Sequence, residues 1–394
     1  MWHSICIVVY VKKKNVIYSI VMAVVLVLII SCSGCSGIST GFTKVADAIT
    51  NPTAREVYAR EFKDNKEQLA IWETAYTNAL TDSLRVTLPY GEKGVFVPYS
   101  NRTYAYTFQL QEGEVLVANV ARDSVVQRIF MDVFEQKDNA WQHAESSKAG
   151  EDVLEFKIAE TGIYKIIIQP EIMANDDFFI SLNIRPLYAF PVAGKGNAAI
   201  GSFWGMERDG GKRKHEGIDI FAKKGTPVVA VTNGTISFTG ERGLGGKQVW
   251  LRDGLFGKSL YYAHLDSIAV QGGMAVKTGD TLGFVGNTGN AKTTPPHLHF
   301  GIYQSGAINP LPFVYQTAAV NQATFSRSFK AAQLKVKGSS NLRQAPDIKA
   351  QTIGSLEAND TIALLGQNND WLHIQTPAGK KAFIHKSLVR EIKG

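Results

Sequence analysis

His215-Glu216-Gly217-Ile218-Asp219, Tyr262-Ala263-His264-Leu265 and His297-Leu298-His299-Phe300 are three short phrases that together hold four of the chain's eight histidines. The sequence around them is rich in β-branched residues and glycine. Gly225-Thr226-Pro227-Val228-Val229-Ala230 reads as a strand and Asn233-Gly234 as the turn after it. Residues 187–316 are therefore expected to form a compact antiparallel β domain. In extended chain, residues two or four apart point to the same side of a sheet. His215 with Asp219, and His297 with His299, can then each converge. Each phrase alone occurs readily by chance. Together they supply enough ligands for a metal, because two imidazoles and one carboxylate suit Zn²⁺ and leave a fourth position for water, as a catalytic zinc requires.

Cysteine cannot contribute to such a site in the folded domains. The three cysteines are Cys6, Cys32 and Cys35, so neither a disulfide nor a thiolate-bound metal supports anything beyond residue 35.

In order and spacing, the three phrases resemble those of the lysostaphin-type, or LytM-like, family of zinc endopeptidases, from about Phe190 to Pro312. The glycine frame is similar as well, with Gly225-Thr226-Pro227-Val228 after the first phrase. Gly279-Asp280-Thr281-Leu282-Gly283, Val285-Gly286 and Thr288-Gly289 come before the last. The resemblance implies that His215, Asp219 and His299 bind one zinc ion per chain and that His264 and His297 are the catalytic pair. It also implies hydrolysis of peptide cross-links or stem peptides of peptidoglycan. All five positions are kept, which implies an active enzyme. One departure is the approach to the last phrase, Asn290-Ala291-Lys292-Thr293-Thr294-Pro295-Pro296, where the family has a shorter Gly-Pro segment. That loop is expected to alter the shape of the cleft without touching a ligand.

Working outward, residues 331–394 contain Asn341-Leu342-Arg343, Trp371-Leu372-His373-Ile374 and Ala382-Phe383-Ile384-His385. They resemble a bacterial SH3-like domain, a small β-barrel, joined through a linker at residues 317–330. The resemblance implies wall-peptide binding through Asn341, Arg343 and Trp371. Upstream, residues 83–186 alternate in short runs such as Tyr104-Ala105-Tyr106-Thr107-Phe108 and read as a jelly-roll-like β-sandwich. Before it, Tyr58, Phe62, Leu69, Trp72, Tyr76 and Leu80 recur at helical spacing, which predicts one amphipathic helix over residues 51–82 started by Asn51-Pro52. The fold class expected is mainly β.

The N-terminus reads as an export signal. Lys12-Lys13-Lys14 precede an apolar run from Val16 to Ile30, and Ile29-Ile30-Ser31-Cys32 resembles a lipobox. Residues 1–31 are then a lipoprotein signal peptide, Cys32 the lipidated residue and residues 32–50 a tether. The expected location is the cell envelope, on a membrane and facing the periplasm or wall. Of 42 Lys+Arg against 35 Asp+Glu, three lysines leave with that segment, and the remaining excess of four is too mild to imply nucleic acid. Peptidoglycan peptides are the expected partner. Two other readings share these features: a non-catalytic envelope lipoprotein that binds wall and regulates other hydrolases, and a zinc peptidase directed at protein. The long stretch before the catalytic unit also leaves open whether it covers the cleft.

Overall fold

Thr53 and Glu56 start the first helix by capping each other. The Thr53 N–H donates to Glu56 Oε2 at 2.7 Å and the Glu56 N–H to Thr53 Oγ1 at 3.2 Å. The computed structural model describes residues 52–123, 127–254 and 257–392. The signal-like segment, Cys32, the tether and Asn51 lie outside them. No described helix is long and apolar enough to cross a membrane. The chain divides into two units, Met1–Glu56 and Val57–Gly394.

Two helices, α1 (Ala54–Glu61) and α2 (Lys66–Ala79), stand where the sequence predicts one. The polar run Lys63-Asp64-Asn65-Lys66 has no apolar side chain to continue the stripe, and Asn65 Oδ1 accepts from the Gln68 N–H, starting a new helix. Pro52 precedes the capping threonine and does not occupy the first helical position. At the other end of α2, the buried Lys165 ammonium donates to the carbonyls of Ala79, Leu80 and Asp82, a cation placed where the helix dipole is negative.

Eight strands follow: β1 (Tyr90–Val95), β2 (Tyr104–Leu110), β3 (Glu114–Arg122), β4 (Ile129–Lys137), β5 (Ala140–Ser146), β6 (Val153–Lys157), β7 (Gly162–Pro170) and β8 (Asp177–Pro186). The sheet β2-β7-β4-β5 faces the strands β1-β8-β3-β6. Strict alternation divides β7: Ile166 and Ile168 enter the core between the sheets, and Ile167 lies on the outer face with Ala79, Ala105 and Phe134. Tyr58 and Trp72 pack on Phe130 with ring centroids 5.2 and 5.4 Å away, and Trp72 Nε1 donates to the Pro170 carbonyl. Burying one side chain of that size stabilises by about 1.5–3 kcal/mol.

The next twelve strands are β9 (Ile200–Ser202), β10 (Glu207–Arg208), β11 (Arg213–Lys214), β12 (Ile218–Phe221), β13 (Pro227–Val229), β14 (Gly234–Arg242), β15 (Gly246–Arg252), β16 (Ser259–Ile268), β17 (Ala275–Val276), β18 (Thr281–Val285), β19 (His297–Tyr303) and β20 (Ala307–Ile308). The order β17-β14-β15-β16-β19-β12-β9 is antiparallel throughout, and β10-β11 forms a separate hairpin. The short helix α3 (Leu311–Val314) closes this unit, burying Phe313 and Val314 in its core.

The last seven strands are β21 (Gln333–Val336), β22 (Ser340–Arg343), β23 (Thr352–Leu356), β24 (Thr361–Asn368), β25 (Trp371–Gln375), β26 (Lys381–His385) and β27 (Val389–Glu391). They share a sheet with the sandwich strands. Strand β24 pairs with β1 of the sandwich, Lys93↔Gln367 and Gly94↔Gly366, so both belong to one continuous sheet. Gly94 permits that approach, because a Cβ there would lie 2.5 Å from the Leu365 carbonyl oxygen and against the Phe178 ring. Under the seam, the wholly buried Glu92 accepts from Tyr90 at 2.5 Å and Tyr106 at 2.7 Å and meets His373 Nδ1 at 3.0 Å. The segment expected to be a linker is packed along β8. The Val320 N–H donates to Asn183 Oδ1, and the Phe325 ring lies 5.2 Å from that of Phe179.

Candidate metal centre

Strand register brings the three phrases together. Asp219 lies opposite His299 across β12 and β19, and Ala263 lies opposite His299 across β16 and β19. Periodicity alone would put His264 on the core side with Tyr262. Instead, His264 adopts a left-handed φ of 62° in a bulge, where Lys247↔Leu265 and Val249↔Tyr262 leave two residues of β16 opposite one of β15. Tyr262 and Leu265 both reach the core, and Ala263 and His264 stay on the cleft face.

Three ligand-type atoms form a nearly equilateral triangle. His215 Nε2, Asp219 Oδ1 and His299 Nδ1 are each 3.0 Å from the other two. Donors about 2.0–2.2 Å from a tetrahedral zinc would stand roughly 3.3–3.5 Å apart, so a slight outward movement accommodates the ion. Gly217 allows the convergence: a Cβ there would sit 2.7 Å from the His299 ring and 2.6 Å from the Phe300 carbonyl oxygen. Outer contacts fix the ring of His215, whose Nδ1–H donates to the Phe203 carbonyl at 2.9 Å.

His264 and His297 stand beside this triangle with ring centroids 5.0 Å apart. His264 Nδ1 donates to the Thr288 carbonyl and His297 Nδ1 to the Pro295 carbonyl, both at 2.9 Å. A ring that donates through Nδ1 in this way turns its Nε2 edge to the cleft. All five residues line one cleft of about 960 Å³ whose walls come from residues 202–303. Among the described residues, no part of the chain before residue 202 lines it.

Residues 213–310 match the family described as "Peptidase family M23", and residues 338–390 match "Bacterial SH3 domain". The chain carries an M23 peptidase domain. Among curated relatives, the L-Ala–D-Glu endopeptidase of Bacillus subtilis is 37% identical over 125 residues, which are 30% of this chain and 38% of that protein. The DD-carboxypeptidase/endopeptidase Mpg of Neisseria meningitidis is 39% identical over 112 residues, 28% of this chain and 25% of that protein. The chain thus spans well under half the length of either relative. The solved catalytic domain of lysostaphin from Staphylococcus simulans is 35% identical, with 29% of this chain and 89% of that one covered at a TM-score of 0.27.

The electrostatics of the M23 site favour a neutral base beside an ionised carboxylate. Burial pushes the His264 imidazole down to about 4, with His297 and His299 adding repulsion. Burial likewise lowers His299, against the opposing pull of Asp219. Burial alone would raise Asp219, but its hydrogen bonds to His215 and His299 outweigh that and hold it well below the usual carboxylate range. Tyr261, another cleft residue, is raised by burial to about 12 and stays a hydrogen-bond donor.

Several M23-site residues carry no signal in the sequence reading. Arg208, on the β10-β11 hairpin, donates through Nη2 to Asp219 Oδ2 at 2.9 Å and to Ser202 Oγ. Ser202 Oγ is in turn 3.3 Å from His215 Nδ1. A lone arginine in Glu207-Arg208-Asp209-Gly210-Gly211 has no period or spacing to mark it. The loop from Asn290 to Pro296, expected to shape the cleft without touching a ligand, lines the cleft, and its Pro295 carbonyl also holds His297, which is not one of the three ligands.

In the SH3 domain, Asn341 is exposed, whereas Arg343 is tied to the Ala350 carbonyl and Thr352 Oγ1. Trp371 is half-buried against the sandwich core, with its ring edge-on to His385 at 5.5 Å.

Proposed function

We propose that this protein is a zinc-dependent endopeptidase that hydrolyses stem or cross-link peptides of peptidoglycan. One observation carries the reading: His215, Asp219 and His299 offer three ligand atoms at 3.0 Å separations, and two further imidazoles with fixed Nδ1–H groups flank them in the same cleft. His215, Asp219 and His299 would hold the zinc. A bound zinc ion supplies Lewis acidity, which polarises a peptide carbonyl and brings the pKa of a water toward about 7.

The chain's own residues do the rest. His264 is neutral across the physiological range, so its Nε2 can accept a proton from water, and the carbonyl of Thr288 fixes the ring for that transfer. His297, turned by the Pro295 carbonyl, presents its Nε2 to the same space and orients water or substrate. Neutral Tyr261 adds an O–H donor on the cleft wall. The relatives named for L-Ala–D-Glu and DD bonds favour a wall peptide as substrate, since such D-amino-acid linkages are not those of ordinary proteins. The export-type N-terminus and Cys32 support a lipid-anchored place in the cell envelope.

Digestion of purified sacculi, set beside digestion of an unfolded protein, tests this reading. Release of peptide fragments from sacculi alone, lost with a chelator and restored by zinc, is expected. Cleavage of the protein but not the sacculi would redirect the zinc chemistry to proteins.

A further inference from the structure

Where the SH3 domain joins the sandwich, a cavity of about 100 Å³ is lined by four cationic side chains, Lys93, Arg102, Arg327 and Lys330, and by no carboxylate. They come from three segments: β1, the connection between β1 and β2, and the strap between α3 and β21. The β1–β24 pairing that makes the seam draws them together. Like charges gathered on one small cavity repel.

Arg102 is the decisive member. It is only 9% exposed, yet among the described residues it meets no carboxylate: Nη1 makes a 3.3 Å contact to the Val95 carbonyl, and the side chain also hydrogen-bonds the neutral Tyr104 hydroxyl. A guanidinium carries five N–H donors and a permanent charge, and burying one without a counter-ion is unfavourable. The carboxylates nearby are committed or apart. Asp177 pairs with Arg327 at 2.8 Å, and Glu391 accepts from the Lys330 backbone N–H. Asp176, whose Oδ2 is buried without a hydrogen bond, lies within ion-pair distance of no cation among the described residues and does not line the cavity. Lys93 Nζ donates to the Phe325 carbonyl, which neutralises nothing, and Lys330 Nζ has no acceptor among the described residues.

We infer that the seam is an anion-binding site that takes one oxyanion group, a carboxylate or a phosphoryl group, between Arg102 and Lys330. The planar fork of the arginine matches either group, and the cavity has room for one of them and little more. Lys93 belongs to the sandwich and Lys330 to the strap leading into the SH3 domain, so the bound anion ties the two together and binding stabilises the folded chain. The site is separate from the peptidase cleft and does not rest on the peptidase reading.

The test is thermal melting and calorimetric titration of the full chain with inorganic phosphate and with acetate, each against chloride at equal ionic strength. Both are done in a His299→Ala background, so that no signal comes from the His/Asp triangle. A saturable rise in melting temperature above the chloride control is expected. A larger rise with phosphate assigns a phosphoryl ligand, and one with acetate a carboxylate. Arg102→Met is expected to weaken binding by about 10-fold or more. Because that buried change could also perturb folding, Lys330→Gln at the exposed rim is measured alongside it and is expected to weaken binding with the anion-free melting temperature unchanged. If neither anion exceeds chloride, or if Lys330→Gln and Arg102→Met both bind as the parent does, the site does not exist.

Discussion

Arg208 Nη2 stands 2.9 Å from Asp219 Oδ2, the carboxylate oxygen that neither His215 nor His299 touches. The carboxylate is thereby divided, with Oδ1 facing the imidazoles and Oδ2 held by the guanidinium. Such a division would leave Asp219 a single oxygen, Oδ1, with which to hold a metal alongside His215 and His299. Arg208→Gln is expected to weaken zinc binding by about 10–100-fold, and Arg208→Lys to recover part of the loss. Competition with a zinc chelator measures this. Unchanged affinity in Arg208→Gln would show that the contact does not position the ligand.

Gly217 separates His215 from Asp219 and lies under the His299 ring. Gly217→Ala places a Cβ 2.7 Å from that ring, so either the ring or β12 must move. A loss of about 1–3 kcal/mol in stability is expected, together with weaker zinc binding. Chemical denaturation of the metal-free variant separates the two effects.

The metal-free protein should lose stability in mild acid in a way that depends on His264. Its folded value, about 4, lies below its ordinary 6.5, so the unfolded chain binds the proton more readily between those values. Stability from the neutral ring is complete above about pH 6.5 and falls as pH drops toward 4. Asp219 is also depressed, but its contribution is kept down to its ordinary 3.8 and is lost only below it. Melting curves from pH 7 to 4.5 should therefore be steeper for the parent than for His264→Gln. Parallel curves would contradict the assignment.

The seam gives a stability test independent of the metal. Gly94→Ala drives a Cβ against the Leu365 carbonyl and the Phe178 ring and should part β1 from β24. The sandwich and SH3 domain should then unfold in separate steps by calorimetry, whereas the parent is expected to unfold them together.

Much of this was legible in the sequence because it depends on local pattern. Alternation in Tyr104-Ala105-Tyr106-Thr107-Phe108 marks a strand with one apolar face, and the spacing of His215 with Asp219 and His297 with His299 places pairs on one side of a sheet. His264 was legible only through resemblance, because it reaches the cleft by a bulge that periodicity places on the wrong face. The division of the helix turned on Asn65, a single cap within an otherwise continuous stripe. The β1–β24 pairing joins Gly94 to Gly366 and could not be read, since neither strand edge carries a mark naming its partner. Arg208 was missed for a related reason: its contact with Asp219 depends on how a hairpin folds over the cleft.

Zinc content and peptidoglycan turnover, measured side by side for the soluble chain from Ser33 onward and for His297→Ala, test the central claim most directly. The account expects about one zinc in both proteins, release of wall fragments by the parent, and a loss of turnover of about 100-fold or more in the variant. A parent that binds no zinc, or a His297→Ala variant that cuts as fast as the parent, would contradict it.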